Sequence, residues 1–215
     1  DAEKLAVEIT QDFPKHQFAW KVLGAVLGAT GRKSEAADAN QTSVALSPQD
    51  FEAHYNLGLT FQELGRFDEA EASYTQALAL KPQDVEALNN LGITFKALGR
   101  LDEAEASYNQ ALAFKPDFAE AHNNLGIMLH ELGRLDQAIN SFKKAIEINP
   151  KYAEAHGNLG ITLLELGRVD EAEASYNQAL AFKPDFAAAH GNLGVTLAKL
   201  GRLNEAEASY TQAIA

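Results

Sequence analysis

Residues 51–82 read FEAHYNLGLTFQELGRFDEAEASYTQALALKP, and the fold follows from this stretch. Ala53, Leu57, Phe61 and Leu64 recur at intervals of three and four, which is one apolar stripe on a helix. Gly65 follows at once, where a left-handed residue commonly closes a helix. Asp68 with Glu71 three residues later predicts a capping box opening a second helix. Ala70, Tyr74, Ala77 and Leu78 give that helix its own stripe. Lys81 is expected in the last turn, where a cation suits the helix dipole. Pro82 stops the helix, because it lacks an amide hydrogen and clashes with the preceding turn. The stretch specifies two antiparallel helices joined by a short turn.

The same pattern runs through the chain in both directions. Prolines stand at Pro48, Pro82, Pro116, Pro150 and Pro184, each 34 residues from the last. A fixed period of this size means stacked supersecondary units. Counting Phe51 as position 1, full repeats cover 17–50, 51–84, 85–118, 119–152 and 153–186. Residues 1–16 form a partial repeat, and 187–215 an incomplete last one, so residues 1–215 read as one solenoid. The segment EAEASYNQALAFKPDF occurs identically at 103–118 and 171–186. The repeat at 17–50 diverges most: Asn40 stands where later repeats carry an aromatic.

These residues resemble the tetratricopeptide repeat family. Its Leu-Gly pair appears as Leu23-Gly24, Leu57-Gly58, Leu91-Gly92, Leu125-Gly126, Leu159-Gly160 and Leu193-Gly194. The turn glycine, the small residue at the helix crossing and the aromatic of the second helix follow in phase, as in Gly99, Ala104 and Tyr108. The resemblance implies an all-α fold, a right-handed α-solenoid of antiparallel helix pairs, and a protein-interaction scaffold with no catalysis of its own.

Composition narrows the partners. The net charge is −12, which disfavours nucleic acid and anionic membrane surfaces. There is no cysteine, hence no disulfide, thiolate nucleophile or Cys-ligated metal. No apolar run approaches the roughly 18 residues of a membrane span. The expected compartment is the cytoplasm, with a native N-terminus upstream, since the chain starts inside a repeat.

First helices should line the concave side of the stack. Helical spacing leaves positions 2, 5, 6, 9, 12 and 13 facing inward. Position 6 holds Asn56, Asn90, Asn124, Asn158 and Asn192. Asparagine is a mediocre helix former, so its recurrence needs a reason. Either the amides offer a donor and an acceptor to an extended peptide backbone, or they bond the neighbouring repeat. The ladder resembles the inner surface of the repeat domain in the O-linked N-acetylglucosamine transferase family, which implies substrate peptides held by asparagines.

Position 5 varies (Lys21, Tyr55, Asn89, Asn123, Gly157, Gly191), and variation inside a copied unit is where specificity can reside. Tyr55, Asn89 and Asn123, together with Lys96 and His130 at position 12, complete the candidate peptide-binding set. Position 9 is apolar throughout, as in Ile93, Ile127 and Ile161. Glu52, Glu86, Glu120, Glu154, Glu63, Glu131 and Glu165 make the face acidic, so neutral-to-basic segments are the expected partners. Only Lys21 is a cation at position 5, which argues against the clamp for acidic tails found in co-chaperone members of the family.

His54, His122, His156 and His190 share position 4, about 10 Å apart by helix packing. That is too far for one zinc ion, whose ligands lie about 2 Å from the metal. No metal, cofactor or catalytic residue is expected. Two readings of function stand side by side: a non-catalytic scaffold binding an extended segment in its groove, and the substrate-selecting part of a larger transferase. The ends carry one more expectation. Leu5 and Ile9, and Tyr210 with Ile214, are apolar faces without neighbours, and would support head-to-tail self-association.

Overall fold

The computed structural model describes residues 2–214, and among them thirteen α-helices and no strand. The fold class is all-α, a solenoid of antiparallel helix pairs. The chain forms two compact units. In the first, α1 (Ala2–Asp12), α2 (Gln17–Ala29), α3 (Lys33–Leu46), α4 (Phe51–Glu63), α5 (Phe67–Leu80), α6 (Val85–Ala97) and α7 (Leu101–Phe114) each pack on the next. In the second, α8 (Ala119–Glu131), α9 (Leu135–Ile148), α10 (Ala153–Glu165), α11 (Val169–Phe182), α12 (Ala187–Lys199) and α13 (Leu203–Ala213) do the same. Within each unit, successive first helices also touch: α2 with α4 and α4 with α6, then α8 with α10 and α10 with α12.

The Leu-Gly pair and the aromatic explain each other. A Cβ added to Gly58 would lie 2.7 Å from Tyr74 Cε1, and one on Gly160 would lie 2.7 Å from Tyr176 Cε1. Only glycine lets the ring lie flat against the first helix, and these tyrosines are fully buried. In the divergent repeat the space over Gly24 is filled by Asn40, whose Nδ2 donates to Thr60 Oγ1 at 2.9 Å. The polar substitute thus keeps one buried hydrogen bond, while its Oδ1 is buried without a partner among the described residues. The turn glycines adopt positive φ, as at Gly65 (71°), where an L side chain would be strained.

Two local expectations are corrected. Asp68 does not open α5. The helix starts one residue earlier, behind Arg66, with no side-chain cap, so there is no capping box. Arg66 instead bonds Glu69 through two guanidinium nitrogens, a pairing repeated by Arg168 with Glu171. Lys81 is not in the last turn of α5 but follows it, at φ −133° and ψ 83°. The following proline bars the helical conformation at this residue. The Lys81 ammonium sits 4.0 Å from the centroid of the Phe51 ring.

Candidate functional site

The inner faces are built from α2, α4 and α6 in the first unit and from α8, α10 and α12 in the second. The ladder asparagines are half-buried in every case. Asn90 Nδ2 donates to the Tyr55 hydroxyl at 3.1 Å, and Asn158 Nδ2 donates to Asn123 Oδ1 at 3.0 Å. In both pairs, position 6 reaches back to position 5 of the preceding repeat. Part of each amide is therefore used inside the stack, and part still faces the groove. The side-chain amides of Asn56 and Asn192 have no hydrogen-bond partner among the described residues. For Asn192 the reason is visible in the sequence: position 5 of the repeat before it is Gly157, which has no side chain to meet.

The ladder backbone is also engaged. Thr60, Thr94, Thr162 and Thr196, one turn on, donate their hydroxyls to the carbonyls of Asn56, Asn90, Asn158 and Asn192 at 2.8–2.9 Å. These buried threonines satisfy themselves locally, so they add no chemistry to the groove.

Position 5 is less open than helical spacing suggests. Asn89 is only 6% exposed and Asn123 4%, while Tyr55 is half-buried. Phe51 stacks on Tyr55 at 5.8 Å. Burial raises the Tyr55 hydroxyl above its ordinary range, against the opposing bond from Asn90, so it stays protonated. Position 12 is half-buried at Lys96 and His130. His130 Nε2 lies 2.9 Å from Glu165 Oε2, poorly aligned for a hydrogen bond but suited to an ion pair once the ring is charged.

The charge is partly neutralised within the face. Lys21 meets Asp50 at 3.1 Å and Glu52 at 2.7 Å, Lys33 meets Glu63 at 3.3 Å, and Lys183 meets Glu154 at 2.8 Å. The hydrogen bond from Lys183 holds the Glu154 carboxyl below the usual carboxylate range. Lys21, the lone cation at position 5, is thus occupied by carboxylates of its own chain.

The position-4 histidines have a structural task that spacing alone did not show. His54, His122, His156 and His190 each place Nε2 2.8–3.0 Å from the carbonyl of the proline six residues earlier. Trp20 does the same with its indole N–H, 2.9 Å from the Pro14 carbonyl. A ring N–H at this position ties the start of the first helix to the loop before it. The shared property of Trp and His, an N–H on a flat ring, was the available signal. Among the described residues no cluster of three His, Cys, Asp or Glu side chains could hold a metal, and no helix is long and apolar enough to cross a membrane.

Two family models described as tetratricopeptide repeat match the chain, one over residues 117–185 and the other over 55–117 and 158–215. Among solved structures, the chain is similar to TTC0263, a thermophilic TPR protein in Thermus thermophilus. Identity is 27%, covering 85% of this chain and 99% of that one, with a TM-score of 0.70. It is also similar to MamA, at 28% identity over 74% of this chain and 92% of that one, TM-score 0.66. A chain of the APC/C hetero-tetramer Cut9-Hcn1 shares the fold, with a TM-score of 0.82 at 21% identity, over 99% of this chain and 42% of that one. No curated protein matches the chain.

Proposed function

The chain belongs to the tetratricopeptide repeat family, a family of protein-interaction scaffolds, and from that premise we propose that its inner face binds an extended segment of a partner protein without catalysing a reaction. The observation that carries this reading is the ladder: half-buried asparagines on successive first helices of each unit, whose amides are only partly used within the stack. A polypeptide backbone offers alternating N–H and C=O groups, which is what a row of amides can meet. The apolar residues of position 9 run beside the ladder and suit the alternate side chains of an extended segment. Glu86, Glu120 and Glu131 are exposed on the same faces, so neutral-to-basic segments are favoured.

The test is a peptide-array screen run with wild type beside a variant carrying alanine at Asn158 and Asn192. At about 0.5–1.5 kcal/mol per hydrogen bond, the two losses weaken binding roughly five- to a hundredfold. Unchanged affinity in the variant rules the ladder out as the binding element.

The end faces support a second kind of contact. Leu5 is 58% exposed and Ile214 88%, with Tyr210 exposed too. Leu5, Ile9, Phe18 and Val22 line an apolar cleft of about 140 Å³ between α1 and α2. One copy's α13 end seated on another copy's cleft is a head-to-tail contact, which propagates with concentration. Light scattering over a dilution series checks it: the mass rises with concentration in wild type and stays monomeric in Ile214→Glu.

A further inference from the structure

Positions 5 and 9 lie four residues apart, so they are neighbours on the same helix face. Leu59 beside Tyr55, Ile93 beside Asn89 and Ile127 beside Asn123 are all half-buried, whereas Ala25 beside Lys21, whose ammonium meets Asp50 and Glu52, is exposed. Where position 5 is glycine, position 9 is uncovered: Ile161 beside Gly157 is 39% exposed and Val195 beside Gly191 is 40% exposed. A Cβ added to Gly191 would meet nothing within 4 Å, whereas one on Gly157 would lie 3.2 Å from Phe186 Cε1. These glycines cost helix propensity, and Ile161 and Val195, one turn on, are exposed apolar surface near Asn158 and Asn192.

Next to Ile161 this surface deepens. Ile127, Ile161 and Phe142 form the apolar part of a cavity of about 110 Å³, with Asn158, His130 and Glu131 completing its lining. The Phe142 ring is almost fully buried and is a firm floor. Glu131 is exposed, and the Glu165 carboxylate stands beside His130. Both glutamates follow the isoleucines by four residues, about 6 Å along the helix. The volume is smaller than the roughly 150 Å³ that holds a benzene ring. It admits a branched aliphatic side chain and leaves the acidic mouth for a long cationic neighbour.

We propose that this cavity is a specificity pocket of the groove, taking one leucine-type side chain of a partner segment flanked by lysine or arginine. The pocket rests on the groove reading given above. Gly157 sets the specificity, because it puts no side chain of its own over Ile161, one turn on.

The probe is the labelled peptide Gly-Ser-Lys-Ser-Leu-Ser-Lys-Ser-Gly, compared by fluorescence anisotropy with the same peptide carrying serine in place of leucine. Wild type binds the leucine peptide about tenfold or more tightly, the gain from burying one aliphatic side chain. Methyl resonances of Ile127 and Ile161 move with the leucine peptide and stay in place with the serine one. The preference disappears in Ile161→Asp and in Gly157→Asn, the second of which re-creates the residue type found at position 123. Replacing both lysines by glutamate weakens binding further, and raised salt erodes the lysine contribution.

Equal binding of the two peptides, with both weakened by alanine at Asn158 and Asn192, overturns the pocket and leaves the groove reading standing. A leucine preference that survives both Ile161→Asp and Gly157→Asn also overturns the pocket. Peptides that bind neither wild type nor the variants, at the highest soluble concentration, overturn both.

Discussion

The two units are built from one 34-residue template, yet they begin their first helices in different ways. In the first unit, Asp50 and Asp84 cap α4 and α6, accepting from the amides of Ala53 and Ala87 at 3.2 and 3.0 Å. In the second, Phe118, Tyr152 and Phe186 stand at that position, and α8, α10 and α12 have no side-chain cap. The aromatic has moved with respect to the helix, and the lysine has followed it. Lys81 lies over Phe51 at 4.0 Å, whereas Lys115 lies over Phe118 and Lys183 over Phe186, each at 4.9 Å. Position 5 has not changed in step, being asparagine both in capped α6 (Asn89) and in uncapped α8 (Asn123). Phe51 stacks on Tyr55, while Phe186 comes within 3.2 Å of where a Cβ on Gly157 would be. One template thus supports a polar, capped start, as at α4 and α6, or an aromatic, uncapped one, as at α8, α10 and α12. The lesson is that the aromatic beside a helix start meets position 5 of its own repeat, Phe51 at Tyr55 and Phe186 at Gly157.

The largest expected effect tests what the units share. Tyr74→Ala and Tyr176→Ala each empty a fully buried ring site over a glycine. Each should cost about 3–5 kcal/mol in urea unfolding. A loss below about 1 kcal/mol in one unit breaks the claim that both use the same core.

The caps separate the units next. Asp50→Ala and Asp84→Ala should each cost about 1 kcal/mol, read from chemical denaturation. Burial pushes the Asp50 carboxyl up, but Lys21, the Ala53 amide and Gln17 together hold it below the ordinary range. Its folded value is therefore depressed. The stability it supplies is present above the ordinary carboxylate range and is lost as pH falls through the folded value. Asp50→Asn keeps a cap and should remove that part of the acid dependence, seen as a flatter stability-against-pH curve.

A single oxygen sharpens the contrast further. The Tyr74 hydroxyl bonds Gln62 Oε1 at 2.8 Å, whereas the Tyr176 hydroxyl is buried without a partner among the described residues. Tyr74→Phe should cost about 0.5–1.5 kcal/mol, and Tyr176→Phe should be neutral or stabilising. Equal losses would show that the Tyr74–Gln62 bond carries no net stability.

The smallest effect concerns the open face. Gly191→Ala should stabilise by up to about 1 kcal/mol, since its Cβ enters open space and alanine is the better helix former. Gly157→Ala should gain less, because the Phe186 ring must give way. Thermal melts of the two variants side by side decide it.

Much of the site was legible before the fold was known. The period placed the asparagines, the position-9 residues and the histidines on consistent faces, because 3.6 residues per turn fixes who shares a stripe. Bonding to the neighbouring repeat was one of the two readings of the ladder, and what stayed out of reach was which residue each amide meets. Asn90 with Tyr55 and Asn158 with Asn123 join residues 35 apart, and nothing in either helix alone announces the bond. The missed start of α5 has a local cause. Asp68 and Glu71 fit a capping-box pattern, but Arg66 stands at the cap two residues earlier and pairs with Glu69.

By itself the sequence determined the helices, their turns and their partners in each stack. Glycine against a ring and proline after a helix are steric conditions that few residues meet. Only the tertiary structure decided which of the repeated polar groups are already satisfied and which remain open. A hydrogen bond or a covered methyl group depends on distances of a few ångströms between repeats. Those distances are set where the helices pack, and so Asn158 comes to be tied to its neighbour while Asn192 is not.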